Sequence, residues 1–186
     1  MARAHLITGA PGVGKTTLVL SLLPRLPGQK GGFTTREIRR AGERVGFQVT
    51  DLEGRDGILA HVERPGPPRV GRYGVDCETF EAIGVHAVRR ALREADLVVI
   101  DEIGTMELYS PHFQQVLVEV LESPRPLLGT IMARAHPIAD RIKACRDVAV
   151  HRLTPRNREA IAEAIVADLA ARLPGGTHGC RGTGTT

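Results

Sequence analysis

Three glycines, a lysine and a threonine near the amino terminus have the spacing that binds a phosphate chain. Residues 9–17 read GAPGVGKTT, with the glycines ahead of Lys15 and Thr16. Glycine adopts positive φ, so such a loop turns its backbone N–H groups inward and forms a nest for anions. In this pattern the lysine reaches the β- and γ-phosphates, and the next hydroxyl binds Mg²⁺. The predicted nucleotide-binding residues are Gly9, Ala10, Pro11, Gly12, Val13, Gly14, Lys15, Thr16 and Thr17.

Apolar segments flank this loop on both sides. AHLI, before it, predicts a short buried strand, and TTLVLSLL, after it, predicts a helix that begins near Lys15. A phosphate loop works between a strand and a helix, because the helix amino terminus adds its positive dipole end beneath the phosphates. The order of these segments therefore strengthens the prediction of a triphosphate site.

A pair of acidic residues, Asp101 and Glu102, follows a second apolar run, LVVI. Uninterrupted apolar residues are typical of a parallel strand that is covered on both faces, and the acids would end that strand. There Asp101 would hold Mg²⁺ together with Thr16, so Mg²⁺ is the expected cofactor. Glu102, one residue further, would accept a hydrogen bond from a water molecule aligned with the γ-phosphorus.

Polar residues at the ends of other extended segments are candidates for contact with the γ-phosphate. Thr130 ends LLGT and is either a polar sensor of the phosphate or a capping threonine. Arg36, Arg72 and Arg134 follow or end extended segments, and a guanidinium so placed stabilises the transition-state charge of phosphoryl transfer. Arg36 is the preferred candidate, because FTTRE surrounds it with hydroxyl groups. The predicted catalytic residues are Lys15, Arg36 and Glu102.

Strands and helices alternate along most of the chain, which predicts an α/β fold. We expect three layers with a doubly wound, mostly parallel sheet, and the phosphate loop at the carboxyl end of its first strand. Residues 33–39 and 44–50 interrupt this alternation and predict an antiparallel hairpin added to the sheet. Near the carboxyl terminus, a helix is predicted to begin with Thr154 as its cap and Pro155 in its first turn.

The length of 186 residues suits one domain, and 42% hydrophobic and 25% charged residues are ordinary for a globular protein. We assign residues 1–173 to that domain. Residues 174–186, PGGTHGCRGTGTT, predict a disordered tail, because they cannot bury enough apolar surface to offset the entropy of ordering. No apolar run approaches the length of a membrane span and no signal peptide is evident, so we expect a cytoplasmic protein.

The net charge of +4 is small, and the basic residues are spread along the chain. Aromatic residues make up 3% of it, so no platform for stacking the bases of a single strand is evident. The cysteines, at positions 77, 145 and 180, lack the spacing of metal ligands and predict free thiols. These features disfavour nucleic-acid and membrane partners, and we expect a monomer whose partner is its triphosphate substrate.

Seven stretches together cover most of residues 1–160, namely TGAPGVGKTT, GGFTTREIR, RVGFQV, RVGRYGVD, VVIDEIGTMEL, LLGTI and TPRNRE. In these stretches the sequence resembles one known family, the thermophilic-type nucleoside-triphosphatases, which include the human cancer-related nucleoside triphosphatase. The resemblance implies Mg²⁺-dependent hydrolysis of nucleoside triphosphates to diphosphates, with loose base selectivity. It implies a P-loop fold similar to RecA-like ATPases and nucleotide kinases, and it places Asn157, with Arg156 or Arg158, beside the base.

Two other functions are consistent with the same motifs. A small nucleotide or nucleoside kinase would pass the γ-phosphoryl group to an acceptor, and it would need a mobile lid, for which residues 132–146 are the available short segment. A slow switch module would instead present its nucleotide state to a partner protein. Glu102 favours hydrolysis, because a hydrolase needs a residue that orients water.

Overall fold

A nine-stranded sheet organises residues 2–175, the part of the chain that this computed structural model describes. The strands are β1 (Ala4–Thr8), β2 (Lys30–Arg40), β3 (Glu43–Asp51), β4 (Asp56–His61), β5 (Arg69–Val70), β6 (Tyr73–Val75), β7 (Leu97–Ile103), β8 (Leu127–Ile131) and β9 (Val148–Arg152). Their order across the sheet is β5-β6-β4-β3-β2-β7-β8-β1-β9. Neighbours from β2 to β9 in this order are parallel, whereas β3, β4, β6 and β5 extend the sheet in antiparallel pairs.

Helices connect the parallel strands. Within the described residues the α-helices are α1 (Lys15–Leu22), α2 (Cys77–Phe80), α3 (His86–Glu94), α4 (Pro111–Glu122), α5 (Pro137–Lys143) and α6 (Arg158–Ala170), and two short 3-10 helices lie at Leu23–Arg25 and Glu107–Tyr109. A π-helical turn, Glu81–Val85, joins α2 to α3. None of the helices in residues 2–175 is long and apolar enough to cross a membrane.

The parallel strands are apolar on both faces because each face packs against helices. Leu6 and Val98 belong to a hydrophobic cluster that includes residues of α3 and α4. Ile7 and Val99, the next residues of the same strands, belong to a second cluster that includes residues of α1 and α6. Successive side chains of a strand point to opposite faces, so these two clusters lie on either side of the sheet. The runs AHLI and LVVI are apolar throughout for this reason.

The predicted α/β fold with a parallel sheet and an antiparallel addition is confirmed. The predicted hairpin is β2 and β3, but β2 begins earlier and pairs with β7 on its other side. The antiparallel part also contains β5 and β6, which the sequence analysis does not predict. They are two and three residues long, too short to display a period of two in the sequence.

The prediction that the last helix begins at Thr154 and Pro155 is wrong, because α6 begins at Arg158. The side chain of Asn157 forms a local turn instead. Its Oδ1 accepts a hydrogen bond from the Thr154 N–H at 2.7 Å, and its Nδ2 donates to the Arg152 carbonyl oxygen at 2.9 Å. These bonds hold residues 154–157 in a turn before the helix starts, since asparagine side chains compete with helical hydrogen bonding.

The proposed domain boundary lies near the end of the described chain. Leu173 is buried in the cluster that includes α1 and α6. Residues 176–186 lie outside the described residues, so the tail at 174–186 stays a prediction from the sequence.

Gly32 fixes the contact between β2 and β7. It pairs with Val99 and has φ 127°, and a Cβ at this position would overlap the Val99 carbonyl oxygen. We expect Gly32→Ala to lower the free energy of unfolding by about 3 kcal/mol or more, since both the backbone and the neighbouring strand would have to move.

Gly54 provides the matched control in urea denaturation. It has φ 95°, but a Cβ there would meet nothing within 4 Å. Gly54→Ala should therefore cost only the backbone strain of a left-handed residue, about 1–2 kcal/mol. Equal losses in the two variants would contradict a role for the close approach of β2 and β7.

Candidate functional site

The segment between β1 and α1 has the backbone of an anion nest. Gly9, Gly12 and Gly14 have φ values of 155°, 76° and 92°. Gly14 takes the cap position of α1, which begins at Lys15 without a side-chain cap and without an acidic residue in its first turn. The first N–H groups of a helix have no intrahelical partner, and here no side chain competes for them. The loop can therefore offer these N–H groups to a phosphate.

Lys15 extends from α1 across the loop towards the second acidic motif. Its Nζ lies 3.5 Å from the Gly9 carbonyl oxygen and 3.9 Å from Glu102 Oε2. The side chain is 12% exposed, so its ammonium group depends on nearby acceptors rather than on bulk water. Phosphate oxygens are strong acceptors for such a group. The position fits the predicted contact of Lys15 with a phosphate chain.

Asp101 is fully buried and has Thr130 as a partner. Strand β8 lies between β1 and β7, and the Thr130 hydroxyl donates to Asp101 Oδ1 at 2.6 Å. The other oxygen, Oδ2, is buried and receives no hydrogen bond of normal geometry from the described residues. Burial raises the pKa of Asp101, whereas Thr130, Thr16 and the charge of Lys15 act in the opposite direction. Thr130 thus contacts the acidic motif directly, as a polar residue at the centre of the site.

Glu102 and a second carboxyl group, that of Glu107, approach each other over Gly104. Glu107 Oε2 lies 2.7 Å, and Glu102 Oε1 lies 3.3 Å, from the point where a Cβ of residue 104 would be. Burial raises the pKa of Glu102, and Lys15 opposes this rise. Burial, followed by repulsion from Glu102, raises the pKa of Glu107 to about 8. Glu107 therefore keeps its proton at neutral pH. Because residue 104 is glycine, the carboxyl groups of Glu102 and Glu107 both have room beside it.

The candidate arginines occupy three different places. Arg36 is exposed on β2, two residues beyond the partner of Asp101, and its Nε donates to Gln48 Oε1 at 2.6 Å. Arg72 stacks on the Tyr73 ring and donates to the Arg44 carbonyl oxygen, within the antiparallel part of the sheet. Arg134 is exposed in the segment after β8. The structure does not place any of them against Lys15 or Glu102, and Arg36 stays a prediction.

The segment between β9 and α6 lies against the phosphate loop. The Leu153 N–H donates to the Thr8 carbonyl oxygen at 2.7 Å. Arg156 is exposed, and the Asn157 side chain is engaged within its own turn. Arg158 points towards the loop, where its Nη2 donates to the carbonyl oxygens of Val13 and Gly14. Of the residues predicted to flank a base, only Arg156 presents a side chain without an internal role in the described structure.

Two residues of the site are not singled out by sequence reasoning alone. Glu107 is buried, and it stands between Met106 and Leu108 in the stretch VVIDEIGTMEL. These apolar neighbours are the sequence feature from which its burial could be predicted. Arg158 is named only as an alternative beside the base, and no sequence feature indicates that its side chain turns towards the phosphate loop.

Comparison with known proteins decides the family. A family model described as NTPase matches residues 4–166. The chain belongs to the NTPase family. The nucleoside-triphosphatase THEP1 of Thermotoga sp. (strain RQ2) is 43% identical over 164 residues, which cover 88% of this chain and 94% of the relative. THEP1 of Methanosarcina acetivorans is 46% identical over 173 residues, which cover 90% and 97%.

Solved structures of this family have the same fold. The crystal structure of THEP1 from the hyperthermophile Aquifex aeolicus matches with a TM-score of 0.82 and 36% identity, covering 89% of this chain and 98% of that one. The solution structure of a human cancer-related nucleoside triphosphatase matches with a TM-score of 0.74 and 37% identity, covering 91% and 98%. The resemblance inferred from the sequence is confirmed, and the predicted enzyme class, nucleoside-triphosphatase, agrees with these NTPase relatives.

The proton on Glu107 predicts a pH dependence of stability in this NTPase. In the unfolded chain the carboxyl ionises near its usual pKa of 4.5, whereas in the folded protein it holds its proton up to about pH 8. The unfolded state therefore releases a proton that the folded state keeps, and stability falls as the pH rises between these values. The slope from this group is up to about 1.4 kcal/mol per pH unit.

Glu107→Gln keeps the shape of the protonated acid and should remove that slope. We expect the free energy of unfolding of the variant, relative to the wild type, to rise between pH 5 and pH 8 in denaturant titrations. Glu122→Gln, at an exposed position that ends α4, is the control and should follow the wild type. Parallel pH curves for the wild type and Glu107→Gln would show that Glu107 is ionised in the folded protein.

Proposed function

We propose that this chain hydrolyses nucleoside triphosphates to nucleoside diphosphates and phosphate, in a Mg²⁺-dependent reaction with loose base selectivity. The observation that carries the proposal is the meeting of Lys15 and Glu102, 3.9 Å apart, beside the buried Asp101. Lys15 comes from the phosphate loop, and the acids come from β7. Their meeting combines a phosphate-binding group with an acceptor for the proton of water.

The phosphate chain would be held by the N–H groups of the loop, by the amino terminus of α1 and by Lys15. The loop N–H groups and the helix terminus supply partial positive charge, and the ammonium group supplies a full one. The γ-phosphate would then lie at the end of the loop nearest Lys15, which is the end that faces Glu102.

The residues present fit Mg²⁺. Asp101 Oδ2 is buried without a hydrogen-bond donor of normal geometry, and the Thr16 hydroxyl is close enough to influence the pKa of Asp101. Carboxylate and hydroxyl oxygens suit a hard cation, and Mg²⁺ in nucleotide sites uses few protein ligands beside the phosphates. Thr16 and Asp101 would hold the ion, which would neutralise charge that develops on the phosphate oxygens. Thr130 fixes the other oxygen of Asp101 and so orients this carboxylate.

Glu102 is the group that would position the attacking water. Its carboxylate extends from the residue after Asp101 and lies beside Lys15, where the γ-phosphate would be bound. A carboxylate there can accept a hydrogen bond from water in line with the scissile bond. Of the three candidate arginines, Arg72 is engaged with Tyr73 and Arg44. We retain Arg36 as the group that would stabilise transition-state charge in the complex.

Loose base selectivity is supported by the chemistry of the segment before α6. The Asn157 amide, a group able to read a base edge, is used within its own turn. Arg156 remains exposed, and a guanidinium stacks on the face of any base. A site with stacking but without a free amide reader discriminates weakly between bases.

The kinase alternative finds little support in residues 132–146. Ala139 and Ile142 of α5 are buried in the hydrophobic core, which anchors this segment to the domain. A lid closes about hinge residues at its ends, and apolar residues that are buried in the core oppose such a movement of the segment that carries them.

Glu102→Gln tests the hydrolase assignment. The change keeps size but removes the negative charge, so phosphate release without any acceptor should fall by about 10²-fold or more. Binding of Mg²⁺ with triphosphate should persist, because Lys15, Thr16 and the loop are unchanged. Glu122→Gln should retain full activity. No phosphate release by the wild type, with triphosphate consumed and the acceptor phosphorylated only after a nucleoside or nucleotide is added, would favour the kinase instead.

Lys15→Ala tests the phosphate loop. Loss of the ammonium group should abolish measurable turnover and weaken binding of triphosphate far more than binding of nucleoside, because only the phosphates lose their partner. Calorimetric titration with both ligands checks this. Unchanged affinity for triphosphate would contradict the assignment of the loop.

A further inference from the structure

Arg158 makes two hydrogen bonds to the phosphate loop, from the side chain of the first residue of α6. Its Nη2 lies 3.1 Å from the Val13 carbonyl oxygen and 3.2 Å from the Gly14 carbonyl oxygen. These carbonyls belong to the last two peptide groups before Lys15. The contact joins elements that are distant in sequence, since Arg158 follows Gly14 by 144 residues.

The direction of these bonds fixes where the loop N–H groups point, together with the Leu18 N–H, which donates to the same Gly14 carbonyl oxygen at 3.0 Å. In a trans peptide the C=O and N–H groups point in opposite directions. The cis peptide bonds of the described residues are at Pro67–Pro68 and Asp101–Glu102, so both peptides held by Arg158 are trans. With the Val13 and Gly14 carbonyls turned to Arg158, the N–H groups of Gly14 and Lys15 face away from it. Those N–H groups are the ones that a nest offers to phosphate.

Helix stability does not account for an arginine at this position. A positive charge in the first turn of a helix opposes the helix dipole and costs about 0.3–1 kcal/mol. Arg158 is the first residue of α6, and its guanidinium turns away from the helix to the loop. The side chain thus gains its partners from the phosphate loop rather than from α6.

Gly14 and Gly9 make room for this contact. A Cβ on Gly14 would overlap Arg158 Nη2, and a Cβ on Gly9 would lie 2.8 Å from the Leu153 carbonyl oxygen. Both ends of the loop therefore lie directly against residues 153–158. Asn157 fixes the turn that leads into Arg158, through its bonds to Thr154 and Arg152.

We infer that Arg158 is a positioning residue, which holds the phosphate loop in its anion-binding form from the side opposite the phosphates. The inference rests on the proposed function for its kinetic consequences, but not for its effect on phosphate binding. Arg158 contacts the backbone of the loop, which binds the phosphates common to all nucleoside triphosphates, so it should serve all of them equally. In this respect it differs from Arg156, its exposed neighbour.

The experiment compares Arg158→Ala, Arg158→Lys and the control Arg146→Ala. Arg146 is an exposed arginine just before β9. It lies at the amino end of the parallel strands, whereas the phosphate loop lies at their carboxyl end. Arg158→Ala should lower kcat/KM for ATP and for GTP by the same factor, about tenfold or more, mainly through KM. Inorganic triphosphate, which has no base, should lose affinity by the same factor in calorimetric titration. Arg158→Lys should recover part of this loss, because an ammonium group still donates to carbonyls.

Guanidinium at millimolar concentration should restore part of the activity of Arg158→Ala and leave that of Arg146→Ala unchanged. If Arg158 is only structural, Arg158→Ala should have a lower melting temperature, bind triphosphate as tightly as the wild type does and gain no activity from added guanidinium. That result would overturn the inference. Weaker binding of ATP and GTP with unchanged binding of inorganic triphosphate would overturn it too and would assign Arg158 to the base. If the wild type hydrolyses no nucleotide, the proposed function fails, and the titrations with inorganic triphosphate still decide the role of Arg158.

Discussion

The hydrogen bond from Thr130 to the buried carboxylate of Asp101 is the interaction on which the site depends. A carboxylate in an apolar sheet is costly unless donors or cations surround it. Strand β8 brings the Thr130 hydroxyl to one oxygen, and α1 brings Thr16 and Lys15 towards the same group. The parallel order β7-β8-β1 is therefore what lets the acids and the phosphate loop share one sheet edge. Gly32 contributes by allowing β2 to approach β7 closely.

The loop itself depends on contacts from behind as much as on its own glycines. Glycine allows the positive φ values that this loop needs, but it also allows the loop backbone to adopt other conformations. The segment from Leu153 to Arg158 supplies fixed partners, one to β1 and two to the loop carbonyls. A preorganised nest loses less entropy when phosphate binds, so these bonds contribute to affinity without touching the ligand.

Local pattern predicted the parts of the site that are continuous in sequence. The phosphate loop, the acid pair at the end of an apolar strand and the α/β alternation all follow from short windows. The contact of Thr130 with Asp101 required the order of the strands, which no local window contains. The predicted start of α6 is too early because the Asn157 side chain competes with helix formation. The contact of Arg158 with the phosphate loop does not follow from any local pattern, because its partners lie at the other end of the chain. Short-range propensity determines elements, whereas tertiary contacts determine which side chains meet.

The charges of the site suggest why Glu107 holds a proton. A triphosphate is strongly negative, and Asp101 and Glu102 already lie where its γ-phosphate would be bound. A third carboxylate beside Glu102 would add repulsion in a region of low dielectric. Burial and the charge of Glu102 both raise the pKa of Glu107, and so both favour its neutral form. A protonated Glu107 adds no charge, and Gly104 leaves the space for it next to Glu102. The remaining negative charge faces Lys15 on one side, while Arg158 supports the loop from the other. The site can thus keep an acceptor for water close to an anionic substrate, because the third acid stays neutral.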